Sequence, residues 1–239
     1  MLSSYQCLFL CIAGYIYTVS NNNTEEVLKS LESLYIEGNM EGAIELSMQE
    51  KDQFSSGHLY YNLGTIYAKQ GDYAQGRYYM EKAFQEGFDL PKVSHNLDAI
   101  KNNLNVQELG VSGGVFGSTF SYLLKVPPAY YTGLTLTLLI FIVLLFRGKF
   151  IKNLYMAVIL LLLSLGPFSF SKFYLKKMDF GIALEEIKIY EGPSSIYSSI
   201  GALAPGQKII VGEKDRDWVF IKYPESFRGW IAKEKLGMF

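Results

Sequence analysis

Two uncharged apolar runs, residues 129–146 and 154–170, stand a few residues apart in the middle of the chain. At 18 and 17 residues, each is just long enough to cross the hydrocarbon core of a bilayer as a helix. Tyr130 and Tyr131 open the first run, where aromatic rings favour the membrane interface. Gly166-Pro167 lies near the end of the second, where a local break is tolerated. The connecting "RGKFIKN" holds Arg147, Lys149 and Lys152 and no acid, so the positive-inside rule places it in the cytoplasm. Lys172, Lys176 and Lys177 follow the second run and leave that asymmetry slight. The competing reading, a soluble hairpin buried in a core, needs a partner surface that so short a chain does not supply.

Charge divides the 239 residues into three zones. Residues 24–104 hold 13 acidic and 7 basic side chains, residues 105–182 hold 2 and 7, and residues 183–239 hold 8 of each. None of these is a folded basic surface, which excludes nucleic acid as an expected partner. Ahead of the acidic zone, residues 5–19, "YQCLFLCIAGYIYTV", match the h-region of a signal peptide, with Thr18 and Ser20 flanking Val19 before a cleavage point. Residues 1–20 are expected to be removed as a signal; a retained anchor and a core helix are the alternatives. Cys7 and Cys11 are the only cysteines, so a mature chain without them has no disulfide, thiol nucleophile or cysteine metal site.

In residues 24–104 the apolar spacing is helical. Leu59, Leu63, Ile66 and Tyr67 share one face; Tyr73, Met80, Ala83 and Phe84 share another, and Gly71-Asp72 breaks the pattern between them. Gly64 within the first helix costs about 1 kcal/mol against alanine, which is reasonable if the second helix crosses closely there. "YNL" at 61–63 recurs as "HNL" at 95–97, and "EGNMEGA" at 37–43 echoes "QGDYAQG" at 70–76. A period of 33–34 residues with Tyr60, Leu63, Gly64, Tyr67, Gly71, Tyr73 and Ala83 in these places resembles the tetratricopeptide repeat family. The central copy is good, the first degenerate, and the third keeps little beyond His95-Asn96-Leu97. Three units, or two and a capping helix, would close a core and leave a concave groove. In that groove Asn62 and Asn96, one repeat apart, are candidates to hold the backbone of an extended guest, with Tyr61 and His95 flanking and Lys69 at the edge. The other reading gives both asparagines internal helix-turn contacts. His58 and His95 have no partner at metal-ligand spacing, so no metal is expected.

Residues 105–128 contain the uncharged "GVSGGVFGSTFS" and read as a flexible linker with a juxtamembrane end. From residue 183 the pattern changes to strands. "KIIVG" and "WVFIKY" are short, β-branched and aromatic, and Gly192-Pro193, Pro205-Gly206 and Glu225-Ser226 punctuate them. Several short strands in so few residues predict a small barrel. "GPS" at 192–194, "LAPGQKIIV" at 203–211, "DW" at 217–218 and "RGWIAKEKL" at 228–236 follow the order of features in the bacterial SH3 family, which the segment resembles. In that family aromatic and loop residues bind peptides or cell-wall stems. Tyr190, Tyr197, Trp218, Tyr223 and Phe227 are the exposed candidates by that resemblance. Against it, Trp218 and Trp230 are expected to fill the core of so small a barrel.

The expected architecture is a multidomain membrane protein: an all-α tetratricopeptide repeat solenoid, a transmembrane helical hairpin and a small all-β SH3-like barrel. No nucleophile–base pair, phosphate loop or carboxylate pair is legible, and "GEKDRD" at 212–217 reads as a charged hairpin turn, so neither an enzyme nor a cofactor is expected. The order of parts resembles the BatE-type proteins of bacterial aerotolerance operons. That resemblance implies an inner-membrane scaffold with both soluble modules in the periplasm. Its partners would be membrane proteins with von Willebrand A domains and a MoxR-type ATPase. A cell-wall anchor gripping peptidoglycan is the second reading, and a signalling sensor the third; a loop as short as 147–153 is too small for an output domain.

Overall fold

The computed structural model describes residues 22–104, 106, 109, 123, 126, 128–150, 153–175 and 178–239. The signal assignment at 1–20, nearly all of the linker, and Lys152, Lys176 and Lys177 lie outside the described residues. The chain divides into two compact units, residues 1–105 and 106–239.

In the first unit, α1 (Asn22–Glu37) pairs with α2 (Met40–Gln49), α3 (Ser56–Gln70) pairs with α4 (Tyr73–Gln85), and α5 (Leu90–Asn103) packs on α4. Two hairpins and one further helix are thus present. The turns 33 residues apart use one device. Gly38 and Gly71 stand at φ +80° and +92°, where a β-carbon would be strained, and each ends a helix. The next residue then caps the following helix: Asn39 accepts from the Gly42 amide at 3.0 Å, and Asp72 from the Gln75 amide at 3.0 Å.

The close crossing expected at Gly64 is present. A β-carbon there would lie 2.9 Å from Met80 Cγ and 3.2 Å from the Gly76 carbonyl; one at Gly76 would lie 3.1 Å from the Ala68 nitrogen. The two glycines let α3 and α4 meet backbone to backbone. Leu63, Met80 and Ala83 are thereby sealed from solvent, and each of the larger two contributes about 1.5–3 kcal/mol by burial.

The second unit holds a helical hairpin and a sheet. Helix α6 (Pro128–Arg147) and α7 (Leu154–Ser164) are long and apolar enough to cross a membrane, α7 continuing through the turns Gly166–Ser169 and Phe170–Tyr174. The hairpin is apolar on the outside. The residues that face inward are Tyr131, Thr135 and Ile142 on α6 and the small Ala157, Ser164 and Ser171 on the α7 side. Leu136, Ile140, Phe141 and Leu144, with Tyr155, Ile159, Leu162 and Leu163, are exposed. The break at Gly166-Pro167 is tied across the hairpin. The Phe168 amide donates to Thr135 Oγ1 at 3.1 Å, while that hydroxyl donates to the Tyr131 carbonyl at 2.9 Å.

The sheet has seven antiparallel strands in the order β3-β2-β6-β5-β4-β1-β7: β1 (Asp179–Ala183), β2 (Ile187–Tyr190), β3 (Ser199–Leu203), β4 (Lys208–Asp215), β5 (Trp218–Tyr223), β6 (Trp230–Ala232) and β7 (Leu236–Met238). Ala183, Ile187, Ile189, Leu203, Ile209, Val211, Val219, Ile221, Ile231 and Leu236 form one core. Every strand contributes to it, so the sheet is folded around a single aliphatic centre. Two expectations need correction. The sheet begins at Asp179 rather than 183, because Gly181, which leaves room for Leu236, interrupts the apolar alternation that marks a strand. Trp218 and Trp230 do not fill the core; both are half-buried on the outer face, and β-branched and leucine side chains fill the inside.

Substituting Gly64→Leu forces α3 off α4. It is expected to destabilise the helical unit by about 1–3 kcal/mol, read as a lowered thermal midpoint by circular dichroism, while Asn62→Ala leaves the midpoint nearly unchanged.

Candidate functional site

Two surfaces of the described residues carry the side chains that sequence reasoning singled out. The first lies on α3 and α5. Tyr61 is buried against Phe88, with ring centroids 5.5 Å apart. Asn96 is buried, and its Nδ2 donates to the Tyr61 hydroxyl at 3.1 Å. Asn96 therefore makes an internal contact, but one between helices rather than within a helix turn, and it joins α5 to α3. Asn62 is half-buried on α3, whereas His95 is exposed on α5. Lys69 is exposed at the C-terminal end of α3, its ammonium 5.8 Å from the Tyr35 ring. The two asparagines are consequently not equivalent: Asn96 belongs to the helix packing and Asn62 to the surface.

Sequence reasoning missed the neighbourhood of His58. Its ring stacks on Phe88 at 5.0 Å and meets Phe54 edge-on at 5.7 Å. Burial holds the imidazole below its ordinary pKa, and the Lys92 charge adds to the depression. A tyrosine cluster spans the seam between α3 and α4: Tyr67 stacks on Tyr79 at 5.4 Å, and Lys82 lies 4.1 Å over Tyr60. Burial pushes the Tyr79 phenol up to about 12, with Tyr67, Tyr78 and Tyr60 adding to the shift. These rings were legible as aromatic but not as a cluster, since their contacts join two helices.

The second surface is the outer face of β2, β5 and β6. Trp218 and Phe220 alternate with the buried Val219 and Ile221. Trp230 is the cross-strand partner of both Phe220 and Tyr190. The four rings therefore share one face. Tyr190 meets Trp218 edge-on at 5.4 Å and Phe220 meets Trp230 in the same way at 5.4 Å. The Arg228 guanidinium stands 5.8 Å from the Phe220 ring. Such a face can stack on a flat or extended ligand, and the guanidinium beside it can pair with a carboxylate.

Of the residues assigned by resemblance, Tyr190 and Trp218 lie in this patch. Tyr197 is exposed elsewhere, over Gly192. Tyr223 and Phe227 are not surface contacts. The Tyr223 hydroxyl is buried beside the Phe180 and Ile210 cluster, and Phe227 packs on the aliphatic core. Phe220, Trp230 and Arg228 were missed as surface residues; the alternation with Val219 and Ile221 was the available signal. Comparison of the chain with family models, curated proteins and solved structures returned no match.

A depressed histidine pKa gives a definite pH dependence. The folded unit binds fewer protons at His58 than the unfolded chain, whose histidine titrates near 6.5. Its stability contribution is full above that value and is lost as pH falls through 6.5 toward the folded pKa. The helical unit is therefore expected to melt at a lower temperature at pH 5 than at pH 7.5, and His58→Phe should flatten that difference. A His58 imidazole titrating at or above 6.5 by NMR would contradict the burial argument.

Proposed function

We propose that this chain is a non-catalytic, membrane-anchored scaffold of a bacterial envelope. The observation that carries the reading is the inside-out composition of the α6–α7 hairpin, with large apolar residues exposed and Thr135, Ala157, Ser164 and Ser171 within. A soluble protein hides such a surface, whereas lipid accepts it. In this reading the hairpin crosses the inner membrane twice and its short basic loop is cytoplasmic. The N-terminal segment is an export signal, and both soluble parts face the periplasm.

The two helix hairpins and the helix that follows are read as a short tetratricopeptide array. The repeating turn at Gly38-Asn39 and Gly71-Asp72 and the Gly64–Gly76 crossing support this. The folded seven-stranded sheet is read as an SH3-like module. A protein of this kind works by tethering: fixing two binding modules to one surface raises their effective concentration for partners there, with no new contact needed. By the resemblance to BatE-type proteins, those partners are von Willebrand A-domain membrane proteins and a MoxR-type ATPase, and the setting is oxidative or envelope stress tolerance.

The aromatic face at Tyr190, Trp218, Phe220 and Trp230 favours a second reading, a module that stacks on peptidoglycan stems and anchors the chain to the wall. Affinity capture of the full chain from detergent-solubilised membranes, alongside sedimentation with insoluble peptidoglycan, separates the two. The scaffold reading expects membrane proteins to co-purify and the wall to leave the chain in solution. It further expects Asn62→Ala together with Lys69→Ala to weaken capture at least five-fold while helix content is unchanged. Sedimentation with the wall, abolished by Trp218→Ala, would establish the anchor in its place.

A further inference from the structure

Basic side chains flank the aromatic face of β2, β5 and β6 at both ends. Trp230 is level with Phe220 on one side and Tyr190 on the other. Further along the strands in one direction come Lys222, two residues after Phe220, and Arg228, whose guanidinium stands beside the Phe220 ring. In the other direction comes Lys188, two residues before Tyr190. All three cations are exposed, and the outward positions of β2, β5 and β6 hold no acid. Asp215, the cross-strand partner of Trp218 on β4, stands at the margin. Apolar surface continues beyond the rings. A β-carbon on Gly229, next to Trp230, would lie 3.1 Å from Ile200 Cδ1, and Ile200 is 51% exposed. Ile196, in the turn before β3, is 92% exposed. Tyrosine and tryptophan rings, exposed isoleucine and flanking basic side chains are the composition that settles where headgroups meet acyl chains.

We propose that this face of the β unit rests on the anionic phospholipid surface of the membrane that holds the α6–α7 hairpin. Reach is the first argument for lipid. The helical continuation of α7 ends at Tyr174, and β1 opens at Asp179. Asp179 pairs with Val211, and Val211 with Ile221, the neighbour of Phe220. The rings therefore lie within roughly 30 Å of the end of that helix. The β unit cannot leave the surface and must turn one side toward it. Charge decides which side. The turn at 212–217 holds Glu213, Asp215 and Asp217 against two bases, whereas the aromatic face presents cations alone. Lys172, Lys176 and Lys177, between the second apolar run and β1, draw anionic headgroups to the same place. A soluble ligand has to compete for the rings with a surface that is always at hand. The docking rests on the membrane reading of the hairpin, and it takes the rings away from the wall.

The test uses the chain's only two tryptophans, Trp218 and Trp230, both on this face. The full chain is reconstituted in vesicles of phosphatidylcholine, alone or mixed with phosphatidylglycerol, with bromine near the headgroup end of the acyl chains. Tryptophan emission is expected to be quenched in the mixed vesicles and about three-fold less so in phosphatidylcholine alone. High salt should remove the difference, since it screens surface charge. Each basic side chain at an anionic surface contributes roughly five-fold in affinity. Lys188→Glu with Arg228→Glu should therefore bring the mixed-vesicle signal down to the phosphatidylcholine level, with circular dichroism unchanged. Equal quenching of the unaltered chain in the two vesicle types would overturn the proposal. So would tryptophans that lipid leaves unquenched and soluble peptidoglycan fragments shift, which would place the wall on this face. Flotation of the same vesicles keeps the two readings apart. A chain that floats and resists alkaline extraction, yet shows no quenching, overturns the docking alone; a chain that does not float overturns the hairpin reading and the docking with it.

Discussion

A chain that crosses lipid must satisfy every backbone donor from within, because the hydrocarbon supplies no water. In the α6–α7 hairpin, which is long and apolar enough to cross a membrane, Gly166-Pro167 is the place where that demand would bear hardest. Proline contributes no amide and ends the regular ladder of α7, and the donor just beyond it, the Phe168 amide, would be left without a partner on its own helix. Thr135 on the facing helix accepts it while returning its own proton to the Tyr131 carbonyl. One hydroxyl therefore links the two helices at the break, taking the Phe168 amide of one and bonding back to a carbonyl of its own helix.

The soluble parts solve the opposite problem. In water they need cores, and each builds one differently. The helical unit gains its packing by removing side chains, since Gly64 and Gly76 bring two backbones into contact and so close the space around Met80 and Leu63. The β unit gains its packing from branched aliphatics, seven strands contributing to one centre. With the inside filled in that way, the aromatic rings are left for the outer face. Tyr190, Trp218, Phe220 and Trp230 are then available for a ligand, and the core does not depend on them.

Much of the helical unit was legible because its signals are local. A glycine that must be left-handed followed by a capping Asn or Asp marks a turn wherever it occurs, and the same pair 33 residues on marks a repeat. The membrane candidates were legible for the same reason, from length and lack of charge. The site residues were harder. In "WVFIKY" both alternating sets are apolar, so a period of two identifies the strand without saying which face is inside. The tryptophans were assigned to the core on size, and the fold gave that place to Val219 and Ile221. Asn96 matched Asn62 in sequence, yet its partner Tyr61 is 35 positions away and meets it only through the packing of α5 on α3. Thr135 gave no signal, since a threonine in an apolar run reads as tolerated, and its role exists only opposite the break.

Sidedness is the claim on which the scaffold reading stands. A periplasm-dependent enzymatic reporter fused after Phe239 of the full chain, expressed in a bacterial host, reads it directly. The account predicts activity outside the cytosol, with the β unit delivered there by the second helix. Activity confined to the cytosol would contradict it, because the chain beyond α7 would then lie on the wrong side of the membrane to share a compartment with an exported helical unit.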